Sequence, residues 1–109
     1  LLTTTGRRSG RSITTPLIYG QDGDRYLIVA SRGGAPHHPN WYLNLGERPE
    51  VEVQVLADRF PARARTATPD EKPALWAIMT AIWPAYDDYQ SRTARVIPLV
   101  ILERLAESI

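Results

Sequence analysis

Apolar and polar residues alternate strictly in only one part of this chain. In "VEVQVL", residues 51–56, Val51, Val53 and Val55 interleave with Glu52 and Gln54, the period of a half-buried strand. "RFPARART", residues 59–66, follows at hairpin distance and reads as its partner. Two other stretches are nearly continuous in apolar residues, "RYLIVAS" at 25–31 and "RVIPLVILERL" at 95–105. The first reads as a buried strand and the second as a final strand. At the start, "LLTTT" and the run around Ile13, Thr14 and Thr15 are β-branched segments on either side of a turn bounded by Gly6 and Gly10. Pro16 cannot donate to a ladder, so the second of these strands is an edge or is bulged there. "QDGD", residues 21–24, is a hairpin turn.

Three stretches read as helix, one of them with a clear helical period. Leu75, Ile78, Met79 and Ile82 lie on one face of a helix. Thr68 is its expected N-cap, Pro69 its first position and Glu71 the return half of a capping box. "AYDDYQSRT" is a second short helix or turn, and Pro39 to Leu45 a third, closed by Gly46. "RGGAPHHP", residues 32–39, is a loop by its glycines and prolines.

The order is then β-β-β-α-β-β-α-β, with hairpin-length connections. It implies a mainly β (α+β) fold: a small closed or split β-barrel of about six antiparallel strands with two or three short helices. A doubly wound parallel sheet would need a helix between most strands. The chain of 109 residues suits one domain, 1–109. Because "LLTTT" already reads as a strand, a native segment is expected to precede Leu1. No stretch reaches the roughly 20 apolar residues of a membrane helix.

Composition narrows the chemistry. Cysteine is absent, which removes disulfides, thiolate zinc sites and cysteine nucleophiles. The net charge of +1 argues against nucleic acid as a partner, so anion recognition must come from local clusters. Two such clusters occur. Arg7, Arg8 and Arg11 surround Ser9 in a turn flanked by glycines, and Arg32 heads the loop "SRGG" at 31–34. Guanidinium groups and exposed backbone N–H groups suit phosphate or carboxylate, although a hairpin tip with solvated charge has the same composition. His37 and His38 are neighbours and point apart in an extended segment. No carboxylate lies at ligand spacing beside them, so no metal is expected. Trp83, Tyr86 and Tyr89 recur every third residue, as the wall of a flat-ligand pocket or as a core rim. No Ser-His-Asp set, phosphate-binding loop, dinucleotide fingerprint or paired-carboxylate site is present, so an enzyme of this sequence would rely on a cofactor.

Three segments taken together, "LLTTTGRRSG", "PLIYGQDGDRYLIVASRGGAPHHPNWYLNL" and "YDDYQSRTARVIPLVILE", resemble the deazaflavin (coenzyme F420)-dependent nitroreductase family of actinobacteria. The likeness spans essentially the whole chain. It implies an FMN-binding split-barrel-like fold, coenzyme F420 as cofactor and hydride transfer from the deazaflavin C5 to an electron-poor quinone, enone or nitroaromatic. It also implies roles. Arg7, Arg8 and Ser9 would meet the phosphate and oligoglutamate tail, and Pro16 would flank the deazaflavin. Val29, Ala30, Ser31 and Arg32 would hold the ring, with Asn40 and Trp41 at the helix start beside it. Ile18, Trp83, Tyr86 and Tyr89 would line the substrate mouth, with Ser31 and Tyr86 the catalytic candidates. The family's best-known nitroimidazole-activating member carries a tyrosine where Ile18 stands, and Tyr19 cannot replace it because neighbours on a strand face opposite sides. Trp83 replaces a further tyrosine. The resemblance also implies a cytoplasmic protein, and leaves room for peripheral membrane association through a segment before Leu1. Two other readings remain on sequence alone: a split-barrel carrier of a lipid or other apolar ligand, and an FMN-binding oxidase relative.

Overall fold

The structure, a computed structural model, describes residues 1–105. It contains one antiparallel sheet built from β1 (Leu2–Thr5), β2 (Ser12–Thr15), β3 (Gly20–Asp22), β4 (Arg25–Val29), β5 (Glu50–Val55), β6 (Asp58–Thr66) and β7 (Leu99–Arg104). Three helices, α1 (Asn40–Glu47), α2 (Lys72–Ile82) and α3 (Ala85–Ser91), and a 3₁₀ turn at Arg32–Gly34 complete the fold. The strand order is β2-β1-β5-β6-β7-β4-β3.

The sheet has seven strands where the sequence implied about six. Pro16 is the reason: it ends β2, and the chain resumes pairing only at Gly20, as β3 against β4. β2 and β3 are the two edges of the sheet. Laid flat, seven strands would separate those edges by roughly 29 Å at the usual strand spacing. The five steps from Thr15 to Gly20 span at most about 18 Å. The sheet must therefore curl until its edges approach, and Pro16–Tyr19 strap the gap of a split barrel.

Curling gives the sheet an inside and an outside, and both are buried along β4 and β7. Ile28, Ala30, Val100 and Leu102 fill the barrel with Val53 and Phe60. Their neighbours Leu27, Val29, Leu99 and Ile101 face outward beneath α2 and α3, against Leu75, Met79 and Tyr86. That explains the uninterrupted apolar runs of these two strands, whereas β5 buries Val51 and Val53 and exposes Glu50 and Glu52. Four consecutive pairs, Tyr26↔Leu102 through Val29↔Leu99, set the register of β4 on β7.

Helix boundaries depart from the sequence reading at three points. The capping box forms, with the Thr68 N–H donating to Glu71 Oε1 (2.9 Å) and the Glu71 N–H to Thr68 Oγ1 (3.3 Å). Residues 69–71 are a turn, however, and α2 itself begins at Lys72. Gly46 lies inside α1, which runs to Glu47 and is stopped by Pro49; the chain enters β5 directly, so no left-handed C′ glycine is needed. Ile82, expected in the buried face of α2, is 47% exposed, because the last turn of α2 overhangs the small residue Gly20 at the edge of the sheet.

Candidate functional site

Two neighbouring recesses open where the strap, the 3₁₀ turn and the helices meet. The larger is a cleft of about 380 Å³. Pro16 and Val29 line its apolar base, the exposed Ile18 lies at its mouth, and its polar side is Ser31 and Arg32. Trp41, Trp83, Tyr86 and Tyr89 make the aromatic side. The wall is assembled from two elements: Trp83 ends α2, and Tyr86 and Tyr89 sit one turn apart on α3. Tyr86 is 4% exposed and packs edge-on to Tyr89, their ring centroids 6.2 Å apart. Burial, and then the neighbouring Tyr89, pushes the Tyr86 phenol up, so at neutral pH it keeps its proton and can donate. The Trp83 indole N–H reaches toward Tyr89 Oη at 3.4 Å.

The polar side is held in an unusual backbone conformation. Arg32 has φ +45°, Gly33 +62° and Gly34 +82°. Gly34 is required by more than its dihedral: a Cβ there would lie 2.6 Å from the Tyr89 carbonyl oxygen, so the turn docks directly on the α3 backbone. Arg95 grips the loop from the other side. Its guanidinium donates to the carbonyls of Ala30 (3.2 Å), Ser31 (2.6 Å) and Ala35 (2.8 Å), and Nη1 lies 3.0 Å from His38 Nδ1.

The smaller recess, about 320 Å³, is formed by the Gly6–Arg11 turn and the first turns of α1, with Arg7, Arg8, Ser9 and Asn40 on its surface. The turn is closed by the Gly6 N–H to Arg11 O (2.8 Å) and the Gly10 N–H to Gly6 O (2.9 Å). Arg8 projects into solvent, but Arg7 does not: both its backbone N–H (3.2 Å) and its Nη1 (2.8 Å) donate to Asn44 Oδ1. Asn44 is 3% exposed, and its Nδ2 approaches Thr4 Oγ1 at 3.4 Å. No side chain caps α1 and no acid occupies its first turn, so the positive end of its dipole is presented between the two recesses, at Asn40 and Trp41.

Nine of the fourteen residues singled out from sequence thus line the cleft, and four, Arg7, Arg8, Ser9 and Asn40, line the basic recess. Ala30 lines neither. Its side chain is in the barrel core, its N–H bonds Pro98 O and its carbonyl accepts from Arg95. Residues 16–19 form no strand, so alternation does not govern them; Tyr19 nonetheless does not line the cleft and packs 5.7 Å from the Tyr26 ring. Sequence reasoning missed Asn44 and Arg95. A signal existed for Asn44, an amide sitting in phase with Trp41 and beside Leu45 on the buried side of α1. For Arg95, next to the exposed Val96 and before a buried strand, there was none. His38 Nδ1 accepts from the Arg95 guanidinium, and the described residues contain no group of three or more His, Cys, Asp or Glu arranged to hold a metal ion.

The profile of the family described as F420H(2)-dependent quinone reductase matches residues 1–104. The chain belongs to that family. An F420H(2)-dependent quinone reductase of Mycobacterium tuberculosis is 46% identical over 107 residues, covering 95% of this chain and 72% of that protein. A putative F420H(2)-dependent quinone reductase of the same organism is 38% identical over 102 residues, covering 94% of this chain and 86% of the other. Among solved structures, an F420-H2-dependent reductase superposes with a TM-score of 0.87 at 38% identity, covering 94% of this chain and 90% of that one. A haem storage protein of Vibrio cholerae, at 15% identity and a TM-score of 0.68, shares the fold. The chain is thus a split-barrel oxidoreductase of an F420-dependent family, and the names of the family and of the two mycobacterial relatives specify quinone rather than nitro acceptors.

The residues present fit the implied cofactor. A flat ring needs an aromatic slot of a few hundred Å³, and the cleft is one. An anionic tail needs cations and N–H donors nearby, and the recess beside it supplies Arg8, the glycine-bounded turn and the α1 N-terminus.

Proposed function

We propose that this protein is a reductase that holds the ring of reduced coenzyme F420 in the cleft and its phosphate and tail over the basic recess, and reduces a quinone bound against the Trp83–Tyr89 wall. One observation carries the reading: residues scattered from Arg7 to Tyr89 converge on an aromatic slot and an adjoining cationic recess that share the α1 N-terminus. When bound, the cofactor supplies a hydride from its C5. The protein's own residues orient and shield. Val29 and Pro16 give the ring an apolar floor, and the aromatic side excludes water, which strengthens every polar contact inside. Tyr86, kept protonated by its burial, is placed to donate a hydrogen bond to an acceptor oxygen as negative charge develops, with the Ser31 hydroxyl on the opposite side. Enones share that carbonyl and are accepted more slowly. Nitroimidazoles are the poorest acceptors, because Ile18 and Trp83 replace hydroxyl-bearing side chains at the mouth.

Fluorescence titration with F420, followed by a screen of F420H2 oxidation against quinones, enones and nitroaromatics, tests the proposal. Saturable F420 binding and fastest oxidation by quinones are expected. A folded protein that shows no saturable binding refutes it. Tyr86→Phe should lower kcat about tenfold or more while leaving cofactor affinity within about twofold, the signature of a contact made in the transition state.

Among the described residues, no helix is long and apolar enough to cross a membrane.

A further inference from the structure

The strongest feature that the reading above leaves unused is Arg95. It touches neither recess, yet its guanidinium meets three carbonyls and a histidine of the segment Ala30–His38. We propose that Arg95 is the positioning residue of the cleft, and that His38, as an acceptor in its neutral form, completes the clamp that keeps Ser31 and Arg32 in their bound-ready conformation. The cofactor part of this inference rests on the proposed function; the clamp itself does not.

Three observations make the clamp more than a structural contact. The segment it holds is otherwise expensive to maintain: Arg32 has a left-handed φ, a conformation non-glycine residues adopt at a cost and only when their surroundings impose it. Three of the guanidinium's four acceptors are carbonyls of this backbone. Its fork spans the carbonyls on both sides of the 3₁₀ turn, a task that the single point charge of a lysine cannot perform. Finally, the fourth acceptor is a nitrogen that can take a proton. Nδ1 faces a donor, so the ring must carry its hydrogen on Nε2. Protonating Nδ1 would place donor against donor and cation against cation.

The cationic groups around His38 oppose that proton. Arg95 faces Nδ1 from the segment before β7. Tyr42 of α1 packs 4.9 Å from the imidazole, and Lys72 of α2 lines the same cavity as His38. No carboxylate lines that cavity. Desolvation, then Arg95, accordingly holds the imidazole below its ordinary value. The clamp is therefore closed at neutral pH and loosens as pH falls below the range in which an ordinary histidine titrates. The competent fraction of the cleft sets apparent cofactor affinity, so affinity should fall with it.

The test uses Arg95→Lys and His38→Gln, which keep charge and an acceptor respectively, and reads the protein first without cofactor. In the wild type, amide exchange at Gly34 and Ala35, whose N–H groups bond Ser31 O and Arg32 O, should be slow relative to the intrinsic rate at pH 7.5, and that ratio should rise on acidification to pH 5. Arg95→Lys should raise it about tenfold at both pH values, with the melting profile retained. His38→Gln should keep it low at both. Histidine ¹⁵N shifts should show His38 protonated at Nε2 alone at pH 7.5. In F420 titrations, Arg95→Lys should weaken affinity about tenfold or more, and the wild type should lose affinity from pH 7.5 to 5 more steeply than His38→Gln. The same cofactor in both proteins cancels its own titration. Exchange at Gly34 and Ala35 unmoved by Arg95→Lys, or pH profiles identical in wild type and His38→Gln, overturns the clamp. Failure of the wild type to bind F420 while exchange behaves as described refutes the cofactor reading and leaves the clamp standing.

Discussion

The two recesses of the site use arginine in opposite ways. On the ring side, Arg95 is enclosed by carbonyls and spends its charge on shaping a loop, while Arg32 stands at the rim of the cleft it helps to line. On the tail side, Arg7 is pinned by Asn44 while Arg8 projects into solvent. Each recess thus has one arginine that builds it and one that is left to meet a ligand. The builders are recognised by their partners, main-chain carbonyls in one case and a buried amide in the other. Residue type distinguishes none of the four. The ring side is also the more strained, with three successive positive φ angles against only Gly10 in the basic turn. Damage to the ring side should therefore cost stability as well as binding, and damage to the exposed arginine of the tail side should cost binding alone.

Gly34→Ala breaks the ring side most directly. It places a side chain at φ +82° with its Cβ 2.6 Å from the Tyr89 carbonyl, and backbone on both sides leaves nothing cheap to move. A loss of roughly 2–4 kcal/mol in unfolding free energy is expected, with F420 binding lost in the folded fraction. Chemical denaturation gives the first and titration the second; a variant as stable as the wild type would show that the 3₁₀ turn does not need to dock on α3. Asn44→Leu is the matching change on the tail side. It removes the acceptor shared by the N–H and guanidinium of Arg7 and the partner of Thr4. Leaving such groups unpaired costs about 2 kcal/mol, less than Gly34→Ala because Arg7 can swing toward water. If denaturation shows no loss, Arg7 is not held by this amide.

How far the sequence exposes this organisation depends on whether a residue acts through its own period or through a distant partner. The strands, the capping box and the three-residue spacing of Trp83, Tyr86 and Tyr89 are local signals, and the elements they imply are present. The seventh strand was hidden because Pro16 does two things: it ends one edge strand, as expected, and it starts a crossing to the opposite edge that only the sheet order reveals. The fourteen site residues carried over by resemblance fall into the two recesses except Ala30, whose side chain belongs to the barrel interior by the same alternation that turns Val29 toward the cleft. Arg95 was invisible because its partners lie 57 to 65 positions away and three of them are carbonyls, which every residue has.

Arg8→Ala sharpens the contrast without damaging either recess. The side chain is exposed, so stability should stay within about 0.5 kcal/mol of the wild type. Affinity for F420 should drop about ten- to a hundredfold, the worth of a charge-assisted contact. The salt dependence of binding should flatten, because a partly exposed charge pair is screened. Titration at two ionic strengths measures both effects, and an unchanged affinity would mean that the basic turn is solvated charge only.

The smallest effect concerns how the ring side is supported from behind. α2 carries Trp83 at its end and is anchored at its start by Glu71, which accepts two hydrogen bonds from Arg65 (2.7 and 2.9 Å) and one from the Thr68 N–H. The Arg65 guanidinium, and then the Thr68 amide, hold the Glu71 carboxyl down at about 2, against an ordinary 4.5. A depressed carboxylate stabilises the fold above its unfolded value, and that contribution disappears as pH falls through the folded one. Glu71→Gln should therefore melt slightly below the wild type at every pH above about 5. The gap should close between the ordinary value of 4.5 and about 2, where the wild-type carboxyl takes up its proton. The tail side, built on an amide and a backbone turn, has no carboxylate among its lining residues, so its contribution to binding should not follow this titration. Thermal melts of both proteins from pH 7 to 2 decide it: a gap that stays constant to pH 2 would mean that the Glu71 charge plays no part in seating α2 and the wall it carries.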